Sequence, residues 1–232
     1  MLGRDNTGRS FGTDKLGFGY LEIYQPLFEL YRDKKDAVLA EVGILGGSSL
    51  ITWRDFLPDC KIIGIDKYDF GGNDRGEHVD SSFFANDDNS EFYLIDQSSR
   101  DELNSFAQSL SHGIDIFIDD GSHFQHDMII TFEYIFPKIN PGGLYIIEDI
   151  STKETLVAGH SWWGKDDEPT IEDCVEETII RLKDQGILTN KYLDQDKISS
   201  LTDSVDHVLF YKAQIPPLTP AGTSSLAIVQ KV

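Results

Sequence analysis

The stretch FIDDGSHFQHD, Phe117 to Asp127, gathers the residue types of acid–base and metal chemistry into one short window. An apolar run ends in Asp119 and Asp120, turns at Gly121, and delivers His123 and, three residues on, His126. Charges at the end of a buried strand cost free energy unless something pairs with them. Either water solvates an ordinary surface loop, with Asp120 capping the helix that follows, or the chain holds a cation beside a proton acceptor. A second acidic end, Glu148 and Asp149 in GLYIIEDI, favours the cation. Carboxylates without cysteine make a hard oxygen site suited to magnesium and tolerant of manganese or calcium. An imidazole, with an unperturbed pKa of about 6.5, is a serviceable base near neutral pH. His126 is spaced from His123 as in a His-x-x-His metal pair, but packing or hydrogen bonding within a helix suits it better.

A second constellation is EVGILGGSS, Glu41 to Ser49, which follows an apolar run and opens a helical pattern. Glycines there let the backbone turn sharply and approach a ligand closely. The G-x-x-G-G spacing is not the G-x-G-x-x-G of dinucleotide binding, and the P-loop lysine is absent. Asp66 ends the next apolar run, where a carboxylate can accept both ribose hydroxyls. Asp96 and Gln97 end the one after and could meet an adenine edge. Nothing nearby clusters lysines or arginines for phosphates. A nucleoside cofactor without phosphates is S-adenosylmethionine.

The elements that must position these residues alternate. AVLAEVGI (Ala37–Ile44), KIIGID (Lys61–Asp66), EFYLID (Glu91–Asp96), DIFIDD (Asp115–Asp120) and GLYIIED (Gly143–Asp149) read as strands. Ser48–Leu57, Arg100–Leu110 and Met128–Ile135 read as helices, and two amphipathic stretches, Tyr20–Tyr31 and Ile171–Lys183, flank the core. Thr170 and Asp173 are placed like a capping box for the latter. VDHVLFYK (Val205–Lys212) and SSLAIVQK (Ser224–Lys231) close the chain as a strand pair joined by a Pro- and Gly-rich connection. The expected fold is α/β: a seven-stranded, mostly parallel sheet with helices on both faces and an antiparallel C-terminal strand. Ligands in such sheets sit at the carboxyl ends of the strands, where the acidic residues fall.

FGTDK (Phe11–Lys15), AEVGILGGSSLITW (Ala40–Trp53), IIGID, FIDDGSH and FPKINPGGLYIIEDI (Phe136–Ile150) occur in this order. Together they resemble the metal-dependent sugar O-methyltransferases of macrolide biosynthesis, of the mycinamicin VI 2''-O-methyltransferase type, and the related cephalosporin hydroxylase-like proteins. The resemblance implies a Rossmann-like class I methyltransferase. It implies a magnesium site on Asp120, Glu148 and Asp149, with His123 as general base. It implies S-adenosylmethionine contacts at Glu41, Gly43, Ser48, Asp66 and Asp96, and Gln97 and Asp119 join the cofactor side of the candidate set. GTDK is expected to help close over the cofactor. The mycinamicin type carries an additional amino-terminal domain that these 232 residues do not include.

One domain is expected: a cap over residues 1–36, a cofactor and metal core over 37–150, a substrate lid over 151–203 and a strand pair over 204–232. Trp162 and Trp163, in the lid, could stack on a sugar face or anchor the lid to the core. With 20 basic against 40 acidic side chains, a formal charge of -20, the chain is repelled by nucleic acid and anionic lipid. The expected partner is a small-molecule acceptor carrying a sugar, and self-association as a homo-oligomer stays open. With two distant cysteines, Cys60 and Cys174, and no signal-like or membrane-spanning run, the expected location is the cytoplasm. Competing readings are an iron-dependent oxygenase using His123, His126 and a carboxylate, a nicotinamide oxidoreductase, and a nucleoside-binding relative without turnover.

Overall fold

The computed structural model describes residues 12–68, 81–151, 170–212 and 224–232. They divide into two compact units, Met1–Ile95 and Asp96–Val232. His78, His160, Trp162, Trp163 and residues 152–169 of the expected lid lie outside the described residues.

In the first unit, strands β1 (Val38–Val42), β2 (Lys61–Asp66) and β3 (Ser90–Leu94) run parallel in the order β3-β2-β1. Every residue of β1 is buried, as is the middle of β2. That is why both read as mainly apolar runs, with Glu41 the charge inside β1, rather than as alternating ones. Helix α1 (Tyr20–Phe28) places Tyr20, Tyr24 and Phe28 four residues apart on one face, all fully buried. Tyr24 stacks on Phe28 at 5.1 Å, and Phe28 meets Trp53 of α2 (Ser48–Phe56) edge-on at 5.4 Å. The expected Tyr20–Tyr31 helix ends at Phe28 and tightens into a 3-10 turn over Glu29–Tyr31. Gly47 opens α2 with φ 81°, a left-handed cap that a side chain would strain. A short helix, α3 (Ser81–Ala85), lies between β2 and β3.

The second unit contains α4 (Arg100–Ser109), β4 (Ile114–Asp119), α5 (Gln125–Ile135), β5 (Ile139–Ser151), α6 (Val175–Gln185), α7 (Ile198–Asp203), β6 (Val205–Lys212) and β7 (Ser224–Lys231). Strand order is β4-β5-β7-β6. β4 and β5 are parallel, and β7 runs antiparallel to both β5 and β6, as the terminal pair predicted. Ser99 caps α4 by accepting from the Glu102 amide at 3.3 Å.

Two local expectations change. The Thr170 hydroxyl donates to the Asp173 carboxylate (2.8 Å) across a 3-10 turn, Ile171–Asp173, rather than capping a long helix. Cys174 is extended, with ψ 153°, so α6 starts afresh at Val175, and the Cys174 sulfur accepts from the Glu177 amide at 3.5 Å. α7 also falls where no periodicity was read; its six residues are too few to show one. No helix among the described residues is long and apolar enough to cross a membrane.

Candidate functional site

β4 and β5 stay in register as far as Asp119 opposite Ile147. Beyond that point both segments leave regular geometry. On the other edge of β5, Ile147 pairs with Ala227 and Ile150 with Ser225, so β5 carries one extra residue at Glu148–Asp149. Such a bulge breaks the alternation of side chains and re-aims one of them. Asp149 adopts φ 51° and His123, in the loop after β4, adopts φ 60°. Only four non-glycine residues among those described have positive φ, and two of them are here. A left-handed side-chain-bearing residue costs about 1–3 kcal/mol and persists only where its surroundings enforce it.

The result is a cluster. Ligand atoms of Asp120, His123 and Asp149 all lie within 4.8 Å of one another, and all three residues are half-buried. His123 Nε2 stands 3.9 Å from Asp120 Oδ1. Glu148 is 1% exposed and falls outside that group. His126 turns elsewhere: its Nδ1 lies 2.9 Å from Asp127 Oδ1, and its ring meets Tyr192 edge-on at 5.0 Å. The two carboxylates, half-shielded from water, are hard oxygen donors that fit a divalent cation, and the imidazole stands beside them.

A buried frame holds this loop. Gln97 Nε2 donates to Asp119 Oδ1 at 2.6 Å, and the Tyr145 hydroxyl donates to Asp119 Oδ2 at 3.1 Å. Burial pushes the Asp119 carboxyl up to about 7, against the pull of those two donors and the Gly121 amide, and the Asp120 charge adds to the rise. The other end of the Gln97 amide accepts from Ser122 N at 2.8 Å. Ser122 Oγ donates to Asp127 Oδ2 at 2.6 Å and accepts from Phe124 N at 3.3 Å.

The first unit carries the remaining cofactor candidates. Gly43, with φ 84°, donates its amide to Ile65 O at 2.9 Å, and Ser48 is the first residue of α2. Asp66 accepts from the amides of Leu45 (3.3 Å) and Tyr68 (3.1 Å), tying the glycine loop to the end of β2. Glu41 is fully buried; Trp53 Nε1 donates to it at 2.6 Å and Lys15 Nζ lies 3.3 Å away. Asp96, which opens the second unit, accepts from the amide (2.9 Å) and hydroxyl (2.7 Å) of Ser98.

Residues 40–150 match a family model described as a methyltransferase domain. The match covers just under half of the chain. Every candidate residue named above, from Glu41 to Asp149, lies within it. Among curated proteins the chain is similar to the 8-demethyl-8-alpha-L-rhamnosyl tetracenomycin-C 2'-O-methyltransferase of Streptomyces olivaceus, 32% identical over 149 residues, 61% of this chain and 36% of that protein. It is also similar to the mycinamicin VI 2''-O-methyltransferase of Micromonospora griseorubida, 33% identical over 146 residues, 58% of this chain and 33% of that protein. The alignments thus span about a third of the length of these relatives.

Among solved structures, the MycE methyltransferase in complex with Mg, SAH and mycinamycin VI superposes with a TM-score of 0.65, at 22% identity, over 95% of this chain and 52% of MycE. The N-methyltransferase NodS from Bradyrhizobium japonicum gives 0.52 at 13% identity, over 94% of this chain and 99% of NodS. The fold around residues 40–150 is therefore the Rossmann-like one that the sequence predicts. Sequence reasoning passed over Lys15, Ser122, Asp127 and Tyr145 as individual residues. Only the aspartate-rich window and the GTDK motif around them carried a signal, because the burial of a lysine or tyrosine is invisible in its letter.

Proposed function

We propose that this chain is an S-adenosylmethionine-dependent, divalent-metal-dependent O-methyltransferase, a single domain acting on a sugar hydroxyl of a glycosylated small molecule. The observation that carries the reading is the convergence of Asp120, His123 and Asp149 at the ends of β4 and β5 within a methyltransferase domain. Support for the acceptor class comes from the relatives, whose names describe O-methylation of sugars on polyketides. Support for the cofactors comes from MycE, a protein of the same fold solved with Mg and SAH.

Asp120 and Asp149 are the proposed metal ligands and His123 the proposed base. Glu148, one residue from Asp149, would add its negative charge to the metal side. A divalent cation bound there supplies acidification and orientation of an acceptor hydroxyl. His123 would receive that hydroxyl proton at Nε2. S-adenosylmethionine, held by the residues named next, would supply the methyl group to that acceptor oxygen. Glu41, Gly43, Ser48 and Asp66 are the proposed cofactor-side residues of the first unit, with Asp66 at the ribose. Asp96 is that of the second, where Gln97 and Asp119 bond to each other instead.

The iron-oxygenase reading would draw His123 and His126 into one group. His126 instead faces Asp127 and Tyr192, which favours the methyltransferase.

Calorimetric titration with S-adenosylmethionine and with magnesium tests the reading on wild type, Asp120→Ala and Asp149→Ala. Wild type should bind both, and each variant should lose the metal. A wild type that binds no S-adenosylmethionine ends the proposal.

A further inference from the structure

We infer that Gln97 is a positioning residue for the Asp120–His123 loop, acting through Asp119 and Ser122 rather than by touching the cofactor. The inference rests on the functional reading above and goes beyond it. A primary amide has one donor end and one acceptor end, and in Gln97 both are engaged within the second unit. Nε2 donates to Asp119 Oδ1 at 2.6 Å and Oε1 accepts from Ser122 N at 2.8 Å, with the residue 5% exposed. Those two anchor points straddle Asp120 and Gly121, so the backbone is pinned on both sides of the proposed metal ligand.

Gly121 completes the lock. A Cβ at that position would lie 2.1 Å from Gln97 Oε1, so glycine is what lets the loop close over the amide. The far ends of the frame are held as well: Tyr145 grips the second oxygen of Asp119, and Asp127 grips the Ser122 hydroxyl. A loop braced in this way can keep His123 at its left-handed φ of 60°. Outer partners of this kind commonly set the geometry and affinity of a metal site.

The test is calorimetric titration of wild type, Gln97→Met and Tyr145→Phe with magnesium and, separately, with S-adenosylmethionine. Methionine matches glutamine in length and has no N–H. Tyr145→Phe removes the other hydrogen bond to Asp119 and leaves the grip on the loop. Both variants should melt below wild type. Gln97→Met should weaken magnesium binding by about 10–100-fold, with cofactor affinity unchanged. Tyr145→Phe should leave both affinities in place.

Should Gln97→Met keep magnesium and lose S-adenosylmethionine, Gln97 touches the cofactor and the inference is overturned. Equal loss of magnesium in both variants would also overturn it, by reducing Gln97 to a general core contact. If wild type binds neither ligand, the functional reading fails and this inference with it. Wild-type binding with an unaffected Gln97→Met removes the inference alone. Where the methionine variant does not fold, Gln97→Asn, one methylene too short to span both anchors, should give the same loss of magnesium.

Discussion

Lys15 and Glu41 form an ion pair sealed from solvent: the ammonium lies 3.3 Å from the carboxylate, and the two side chains are 1% and 0% exposed. The pair joins the GTDK segment to the end of β1, and Trp53 adds a donor from α2. A buried pair of this kind adds little net stability over apolar residues of the same shape, but removing one partner strands the other charge. Lys15→Met should therefore cost about 3–5 kcal/mol in urea unfolding. The double variant Lys15→Met/Glu41→Gln should recover part of that loss, since glutamine can still accept from Trp53. A loss below about 1 kcal/mol in the single variant would mean that the pair is solvated.

His123 and Asp149 share a left-handed backbone, which shapes how each is best substituted. Asparagine tolerates that conformation better than alanine does. His123→Asn should keep cofactor binding and a near-wild-type melting temperature, while turnover falls by about 10²–10⁴-fold, the usual worth of a positioned base. Full turnover in this variant would remove His123 from the base role. Asp149→Asn should likewise melt near wild type while losing magnesium in a calorimetric titration.

Asp119 makes stability depend on pH. Its carboxyl is raised by burial from the ordinary value of 3.8 to about 7, so the folded chain holds a proton there that the unfolded chain has released. Stability from this group is full below its ordinary value and falls as pH rises towards about 7, by about 1 kcal/mol per pH unit. Asp119→Asn removes the titration while keeping an acceptor for Gln97 and a donor for the Tyr145 oxygen. With a chelator present, wild type should lose more stability than Asp119→Asn between about pH 4 and about pH 7. Parallel urea midpoints for the two proteins across that range would refute the assignment.

The strands were legible because β1, β2 and β4 are largely buried and rich in Val, Leu and Ile. The acidic strand ends were legible for a related reason, since ligands of parallel sheets sit there. The bulge was not. An extra residue between Ile147 and Ile150 becomes visible only against Ala227 and Ser225 on β7, about eighty residues away in the chain. Without it, Glu148 and Asp149 look equivalent; with it, Asp149 joins Asp120 and His123 while Glu148 is buried outside that group. The Cys174 cap was hidden for a different reason, because cysteine is not a residue one reads as a helix start.

Glu133 gathers the C-terminal half of the second unit onto α5. Its side chain is fully buried; Oε1 accepts from Lys197 Nζ (2.8 Å) and Arg100 Nη1 (3.1 Å), and Oε2 accepts from the Asp194 amide (2.8 Å). Arg100 also donates to the Tyr192 carbonyl, and Tyr192 packs against His126, so this hub supports the segment beside the proposed site. Burial raises the carboxyl, but Lys197, the Asp194 amide and Arg100 together outweigh it and hold the group below its ordinary value of 4.5. Its contribution is thus complete above the ordinary value and lost as pH falls through the lowered one. Glu133→Gln should cost about 1–3 kcal/mol at neutral pH, since Arg100 and Lys197 remain solvent-accessible and can turn to water. The difference between wild type and Glu133→Gln should shrink as the solution is acidified below about pH 4. A difference that stays constant into that range would show that the Glu133 carboxyl titrates alike in the folded and unfolded chain, and that Lys197 and Arg100 do not hold it down.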